Sequence, residues 1–305
     1  MTQHTVSNSF SSVAKLTEML DVTKPELDTV IESGYRRYPI FKNGKIRHIE
    51  QPNDNLKLIS QKLLSYLREN LECPPYCMAG YSKQNNIQNA KRHAKKREIL
   101  TMDIAHYFPN TKAQYVRQFF EENFNAQGEV LDLLVKLTTY KGYLPTGVPT
   151  SPFISGFAHK EIFDLIYTKM KEQGIDMTIY VDDITISTNK HIGNWVIGFI
   201  NKALNAHGLH LKKSKTKRFG YKSAVVTGVY IAQDGKLSTP YEKNYSVVKT
   251  LCEKDISQMT LKELQKLIGL IAYIRKLHPK KFKATQTKAI KQLKKLKRQM
   301  LVNNQ

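Results

Sequence analysis

Thr178-Ile179-Tyr180-Val181-Asp182-Asp183-Ile184-Thr185-Ile186-Ser187 sets two adjacent acids between two β-prone runs, the pattern of a hairpin with a charged tip. Buried side by side, two carboxylates repel each other at a cost of several kcal/mol unless a cation neutralises them. Hard oxygen ligands suit Mg²⁺, which keeps positions open for phosphate oxygens. Alone, the pair reads as a surface Asp-Asp turn. Its context changes that reading. Ile99-Leu100-Thr101-Met102-Asp103-Ile104 places a third acid at the end of an apolar strand, ahead of the aromatic pair Tyr107-Phe108 and Pro109. A third carboxylate of this kind would complete a two-metal site.

Outward from these acids, short apolar or β-branched runs alternate with helical stretches, an α+β pattern. Strands are predicted at Ile99–Asp103, Met177–Tyr180, Ile184–Ser187 and Ala224–Ile231. Helices are predicted at Tyr115–Phe120, Gly128–Leu137, Ile154–Lys171 and Ile192–His207, with Trp195 in the core beside Ile192, Ile197 and Phe199. Nearer the start, Tyr38–Phe41, Lys42-Asn43-Gly44-Lys45 and Ile46–Ile49 form a hairpin signal, because Asn-Gly supplies the positive φ angles of a tight turn. Gln51-Pro52 closes it, and a helix follows over Asn55–Asn70. Cys73-Pro-Pro-Tyr-Cys77 lacks the second ligand pair that zinc needs and reads as a structural turn.

The chain has 305 residues with 48 Lys+Arg against 26 Asp+Glu, a net charge of +22. Its 41% hydrophobic content is that of a globular protein and excludes a wholly disordered basic tail. No apolar run approaches a membrane span, the polar start lacks a signal-peptide pattern, and three cysteines (Cys73, Cys77, Cys252) are no disulfide framework. A cytoplasmic protein with a polyanionic partner, nucleic acid first, is the expectation. From Tyr241 to Gln305 there are 16 Lys+Arg against four acids, so this last fifth carries +12. Its apolar residues Leu261, Leu264, Ile268, Ile271 and Ile274, then Ile290, Leu293 and Leu296, recur at helical spacing with Pro279 between them. Two further basic clusters are Lys91–Arg97 and Lys212–Arg218.

An aspartate after a strand, then an aromatic, then Tyr-x-Asp-Asp resembles the palm of reverse transcriptases. Leu144-Pro145-Thr146-Gly147-Val148-Pro149-Thr150-Ser151-Pro152 looks like that family's template and nucleotide-positioning loop. Gly208-Leu209 and Lys215-Thr216 follow in the family's order, and Arg47-x-Ile49-x-x-Pro52 resembles its fingers segment. Asn89-Ala90-Lys91-Arg92-His93 and Val226-Thr227-Gly228 are similar to the Asn-Ala-x-x-His and Val-Thr-Gly signatures of bacterial retron reverse transcriptases. Four positions depart from the pattern: Thr146 where many relatives carry Gln, Val148 before Pro149 where Ala is usual, Val181 where retron enzymes often have Ala, and His106 where related enzymes often have an acid.

The resemblance implies a right-hand polymerase with fingers, a palm of antiparallel sheet packed on helices, and a helical thumb. Its expected division is an N-terminal helical extension over 1–36, fingers over 37–98 with a returning part at 110–145, palm over 99–240 and basic thumb over 241–305. It implies RNA-directed DNA synthesis with two Mg²⁺ held by Asp103, Asp182, Asp183 and the Ile104 backbone carbonyl. Arg47, Phe108, Thr146, Gly147 and Lys215 are the implied nucleotide-binding residues, Phe108 excluding a 2′-hydroxyl. Asn89, Ala90, Lys91, Arg92, His93, Val226, Thr227 and Gly228 are the implied RNA-binding residues. Implied partners are dNTPs, a cognate structured non-coding RNA with its branched RNA-linked single-stranded DNA product (msDNA), and an effector protein encoded nearby that could form a larger complex in anti-phage defence. A group II intron or other retroelement enzyme is the alternative, which expects a longer maturase-like extension. An inactive RNA-binding scaffold is another, which three retained aspartates oppose.

Overall fold

A computed structural model describes residues 10–302 except Asn43, Ser82 and Tyr221, and within that range it does not describe the side chains of Lys42, Lys45, Arg47, His48, Leu301 and Val302. The chain divides into two compact units, Met1–Asn89 with Glu98–Arg218, and Ala90–Arg97 with Phe219–Gln305.

The first unit opens with α1 (Val13–Leu20) and α2 (Lys24–Ser33). Thr23 and Glu26 cap α2 reciprocally, satisfying two of the helix's first N–H groups. An antiparallel hairpin of β1 (Tyr35–Lys42) and β2 (Lys45–Pro52) follows, with Gly44 at φ 72° in its turn and Asn43 outside the described residues. Next come α3 (Asp54–Asn70), α4 (Asn86–His93), β3 (Glu98–Asp103), the single turn α5 (Tyr107–Asn110), α6 (Ala113–Phe124) and α7 (Gly128–Thr138). The unit continues through α8 (Ser151–Ala158), α9 (Lys160–Glu172), β4 (Asp176–Tyr180), β5 (Asp183–Thr188) and α10 (Trp195–Asn205). One core joins the apolar faces of α1, α2, α3, α6 and α7, including Leu16, Leu27, Leu63, Phe120 and Leu134. A second lies between the β3–β5 strands and helices α9 and α10, built on Leu100, Phe163, Ile166, Ile186, Ile200 and Leu204. The sheet runs in the order β4-β5-β3-β6, where β6 is Lys217–Gly220. β5 is antiparallel to both neighbours and therefore central to this acidic end of the sheet.

The second unit holds β7 (Ala224–Val226), β8 (Val229–Ile231) and β9 (Leu237–Ser238) in one antiparallel sheet, then α11 (Tyr241–Glu253), α12 (Leu261–Leu277) and α13 (Lys283–Val302). Val247, Ile256, Leu264, Ile271 and Ala289 form its core. The basic segment 90–97 groups with this unit, whose main stretch starts at Phe219. Gly235 accounts for part of that: at φ 80° it turns tightly against the Lys95 backbone, where a Cβ would lie 3.1 Å from the Lys95 nitrogen.

Three expected elements differ. Ile154–Lys171 is two helices, because the chain leaves helical geometry at His159 (ψ 19°), whose buried ring lies 3.0 Å from the Thr111 hydroxyl. Ala224–Ile231 is not one strand but a hairpin, with Thr227 (φ 45°) and Gly228 (φ 76°) as its two-residue turn and Val226 paired with Val229. Positive φ at both central residues matches the right-handed twist of the flanking strands, although a β-branched residue such as Thr227 adopts it at a cost. Trp195 is not core: it begins α10 with 46% of its surface exposed, and Val196, Ile200 and Leu204 form the buried stripe instead.

Ile186 is fully buried in the central strand, whereas Ile46 near the β1–β2 turn is 68% exposed. Ile186→Ala should cost about 2–5 kcal/mol in denaturant unfolding, and Ile46→Ala should stay within about 0.5 kcal/mol of the parent.

Candidate active site

Strand register brings the acids together. β3 and β5 pair so that Asp103 lies directly opposite Asp183, and β4 pairs with β5 from Tyr180 opposite Asp183, leaving Val181 and Asp182 as the turn. The Ile104 N–H donates to the Asp182 carbonyl at 2.8 Å, which ties the end of β3 to that turn. On the other side of β3, Ile104 bridges Leu211, the Ala105 N–H donates to the His210 carbonyl, and the Lys212 N–H donates to the Asp103 carbonyl, each bond 2.8 Å. Val181 takes φ 59°, a left-handed conformation that is an outlier for a β-branched residue. Strain of this kind persists where the surroundings over-determine the backbone, and here both flanking strands do.

Electrostatically the cluster is short of positive charge. Burial, then the neighbouring Asp182 and Asp103, push the Asp183 carboxyl up to about 6. Burial foremost, with Asp103 adding to it, also raises Asp182. Lys215 is the counter-charge: its ammonium donates to the Asp103 carboxylate, and that bond holds the ammonium above its usual value. The donor set is three hard carboxylates, two of them destabilised by burial and mutual repulsion, and this chemistry fits a divalent cation. Among the described residues, however, no three such side chains already converge as a ligand set. Asp103 is engaged by Lys215, so binding a cation here requires that ion pair to open. Ile104, whose carbonyl was the fourth expected ligand, is buried beside them.

The remaining expected nucleotide-binding residues divide by exposure. Phe108 is half-buried in α5, where Tyr107 anchors the turn by donating to the Ser155 carbonyl at 2.9 Å. Thr146 and Gly147 are exposed in the loop between α7 and α8, with Gly147 at φ 98°. A Cβ on Gly147 would stand 3.7 Å from the Glu50 carbonyl of β2, so loop and hairpin approach closely. The Tyr143 hydroxyl donates to the buried Glu50 carboxylate at 2.6 Å, a bond that pushes the phenol up to about 12. This Glu50–Tyr143 pair had no sequence signal, since the two residues lie far apart in the chain. The side chain of Arg47 lies outside the described residues.

The expected RNA-binding residues differ in exposure. Asn89, Ala90, His93 and Val226 are fully buried, so their side chains are not presented to a ligand. Asn89 instead accepts from the Thr178 hydroxyl of β4 at 2.6 Å. Lys91 and Arg92 are exposed, and Thr227 and Gly228 are partly so in the β7–β8 turn. Part of the second basic cluster is also committed internally: Lys215 to Asp103, and Arg218 to the buried Glu98, which further accepts from the Ile192 N–H at 2.9 Å.

Residues 39–231 match the family described as Reverse transcriptase (RNA-dependent DNA polymerase). The chain belongs to the reverse transcriptase family. Among its curated relatives, the retron Se72 reverse transcriptase of Salmonella heidelberg is 27% identical over 68% of this chain and 57% of its own length. The retron Ec86 reverse transcriptase of Escherichia coli is 27% identical over 75% of this chain and 73% of its own. The chain therefore spans little more than half the length of the first relative. Its fold is similar to the telomerase of Candida albicans solved in complex with a TWJ fragment of telomeric RNA, with TM-score 0.51, 12% identity, and coverage of 89% of this chain and 59% of that one. The fold is that of a right-hand polymerase, with the acidic strand ends on its antiparallel sheet. No helix among the described residues is long and apolar enough to cross a membrane.

The raised Asp183 carboxyl sets a pH dependence. Its ordinary value is 3.8 and its folded value about 6, so burial costs almost nothing below 3.8, the cost grows between 3.8 and about 6, and it is complete above that. Asp183→Asn should thus leave stability nearly unchanged near pH 3.5 and raise Tm at pH 8 by roughly 2–4 °C, as a gain of about 1 kcal/mol would. Thermal melts in chelator at both pH values check this, and Mg²⁺ should raise the parent's Tm at pH 8 more than the variant's.

Proposed function

We propose that this chain is the RNA-directed DNA polymerase of a retron, copying a cognate structured RNA into branched, RNA-linked single-stranded DNA from a 2′-hydroxyl primer. The observation that carries the reading is the register that sets Asp103 opposite Asp183 with Asp182 in the adjoining turn. The retron relatives and the Asn89–His93 and Val226–Gly228 signatures favour a retron over another retroelement.

In this reading Asp103, Asp182 and Asp183, with the Ile104 carbonyl, hold two Mg²⁺. Bound there, the ions would neutralise the transferring phosphate and lower the pKa of the attacking hydroxyl. The chain's own groups do the positioning. The primer hydroxyl attacks the α-phosphate of a dNTP and pyrophosphate leaves in line. Lys215, released from Asp103, offers an ammonium to the leaving pyrophosphate, and Arg47 does so from the fingers hairpin. Phe108 lies under the incoming sugar and leaves no room for a 2′-hydroxyl, while Thr146 and Gly147 border the templating base.

The exposed lysines of α11–α13, with Lys91 and Arg92 of the same unit, hold RNA phosphates in a cytoplasmic complex. Buried Asn89, Ala90, His93 and Val226 act by shaping that surface, with Thr227 and Gly228 at its turn. An effector encoded nearby would join this complex for phage defence.

Purified protein, supplied with the RNA transcribed beside its gene, dNTPs and Mg²⁺, should yield DNA covalently joined to RNA. Asp182→Asn should lower that synthesis by at least about 10³-fold, the loss expected of about 4 kcal/mol of transition-state stabilisation, while RNA affinity stays within twofold. An inactive RNA-binding scaffold would show no synthesis in either protein. If six to ten cations contact phosphate, affinity should fall by roughly 10³–10⁵ between 50 and 200 mM salt.

A further inference from the structure

Two local costs coincide at His159. The residue interrupts what would be one continuous helix, separating α8 from α9 at φ −119° and ψ 19°, and its ring, only 1% exposed, has no hydrogen-bond partner at Nδ1. Buried polar atoms left bare are few in native proteins, and each calls for an explanation. Packing does not supply one. An apolar side chain beside the rings of Tyr107, Tyr115 and Phe163 would fill the place without leaving a polar atom bare. Charge does not supply one either, because burial, and then His207, hold the imidazole down at about 3 and keep it neutral at any working pH.

What His159 contributes is one bond. Its Nε2 lies 3.0 Å from the Thr111 hydroxyl. A proton on Nε2 leaves a bare acceptor at Nδ1, which a protein interior tolerates better than the bare N–H donor of the other tautomer. The ring therefore donates, and the hydroxyl gives its own proton to the Tyr107 carbonyl 3.0 Å away. Thr111, itself fully buried, is a junction. Its N–H donates to the carbonyls of Tyr107 and Phe108, each at 3.0 Å, and its carbonyl accepts from the Leu144 N–H at 3.0 Å. The end of α5, which carries Phe108, is thus tied to the start of the loop that carries Thr146 and Gly147. A single helical turn does not hold itself, since its first hydrogen bond fixes several dihedral angles at once. The place of Phe108 comes from these outside bonds.

We propose that His159 is a positioning residue for sugar selection: through Thr111 it holds α5 rigid, so that Phe108 meets a ribose 2′-hydroxyl as a fixed obstacle. The inference rests on the polymerase reading and adds to it the source of the barrier's stiffness. Steric repulsion discriminates only as far as the obstructing ring stays in place, and binding geometry of this kind has to be held within about 0.5 Å by the residues behind it. A ring on a loosened turn gives way, and the ribonucleotide is admitted.

The test is single-nucleotide extension of a primed template with a dNTP or the matching ribonucleotide, giving kcat and KM for each, in the parent and in Phe108→Ala, His159→Leu, His159→Gln and Thr111→Val. In His159→Leu and in Thr111→Val the preference for the deoxyribonucleotide should fall by about tenfold, the factor carried by 1.4 kcal/mol, chiefly through a lower ribonucleotide KM. His159→Gln, which can reach Thr111 with an amide N–H, should keep most of the parental preference. Phe108→Ala should lose the most, and adding His159→Leu to it should change the preference no further. Thr111→Val reads the same bond without altering the helix break, so it decides the matter if His159→Leu does not melt cooperatively. A preference unchanged in both Thr111→Val and His159→Leu, with deoxyribonucleotide and ribonucleotide slowed alike, overturns the inference, as does a His159→Gln that loses as much as His159→Leu. Parental preference in Phe108→Ala overturns the barrier and this inference with it, leaving the polymerase reading intact. A parent that extends with neither nucleotide overturns the polymerase reading itself.

Discussion

Everything chemical in this chain depends on the pairing of β3 with β5. One register puts Asp103 opposite Asp183; a slip of a single residue would turn one carboxylate to the other face of the sheet. The register is held from both directions. Buried Leu100, Met102, Ile184 and Ile186 fix which face meets α9 and α10, and the Ile104 N–H to Asp182 carbonyl bond closes the end. The same interaction creates the electrostatic problem that defines the site. Carboxylates brought together at a partly buried strand end stay charged only beside a cation, and in this structure Lys215 supplies one on Asp103.

That Lys215 comes from the segment after α10 gives the site a built-in competitor. The ammonium satisfies Asp103 but not Asp182 or Asp183, whose carboxyls remain raised. A pair with one end half exposed is worth little in stability, so a divalent ion can displace it readily. In the proposed reaction the freed lysine would serve the phosphates of the incoming nucleotide. Glu98 at the opposite end of β3 shows the contrasting case: Arg218 and a backbone N–H satisfy it, and its carboxyl is lowered despite burial.

The sequence made the acidic cluster legible because period-two runs on either side of Asp182-Asp183, and again before Asp103, have few alternatives to a hairpin and a neighbouring strand. The β1–β2 hairpin and the helices α3, α12 and α13 were readable from local pattern for the same reason. What the pattern could not carry was side-chain destination. Asn89, Ala90 and His93 look like an exposed motif on a basic helix and are buried, and Trp195 looks like core and is half exposed. Long-range pairs such as Glu50–Tyr143, and the grouping of Lys91–Arg97 with the basic C-terminal helices, are set by tertiary packing and leave no local trace. Thr227-Gly228 was hidden by the β-branched threonine, which reads as strand and is a turn.

The strand ends gather Asp103, Asp182 and Asp183 into one candidate cation site. Fe²⁺ substituted for Mg²⁺ in the presence of ascorbate and peroxide releases hydroxyl radicals where it is bound and cuts the nearby backbone. Cuts at residues 102–105 and 180–184 together, lost from both segments in Asp182→Asn, are the predicted result. Cleavage confined to one segment, unchanged by that substitution, or located elsewhere in the chain would contradict it.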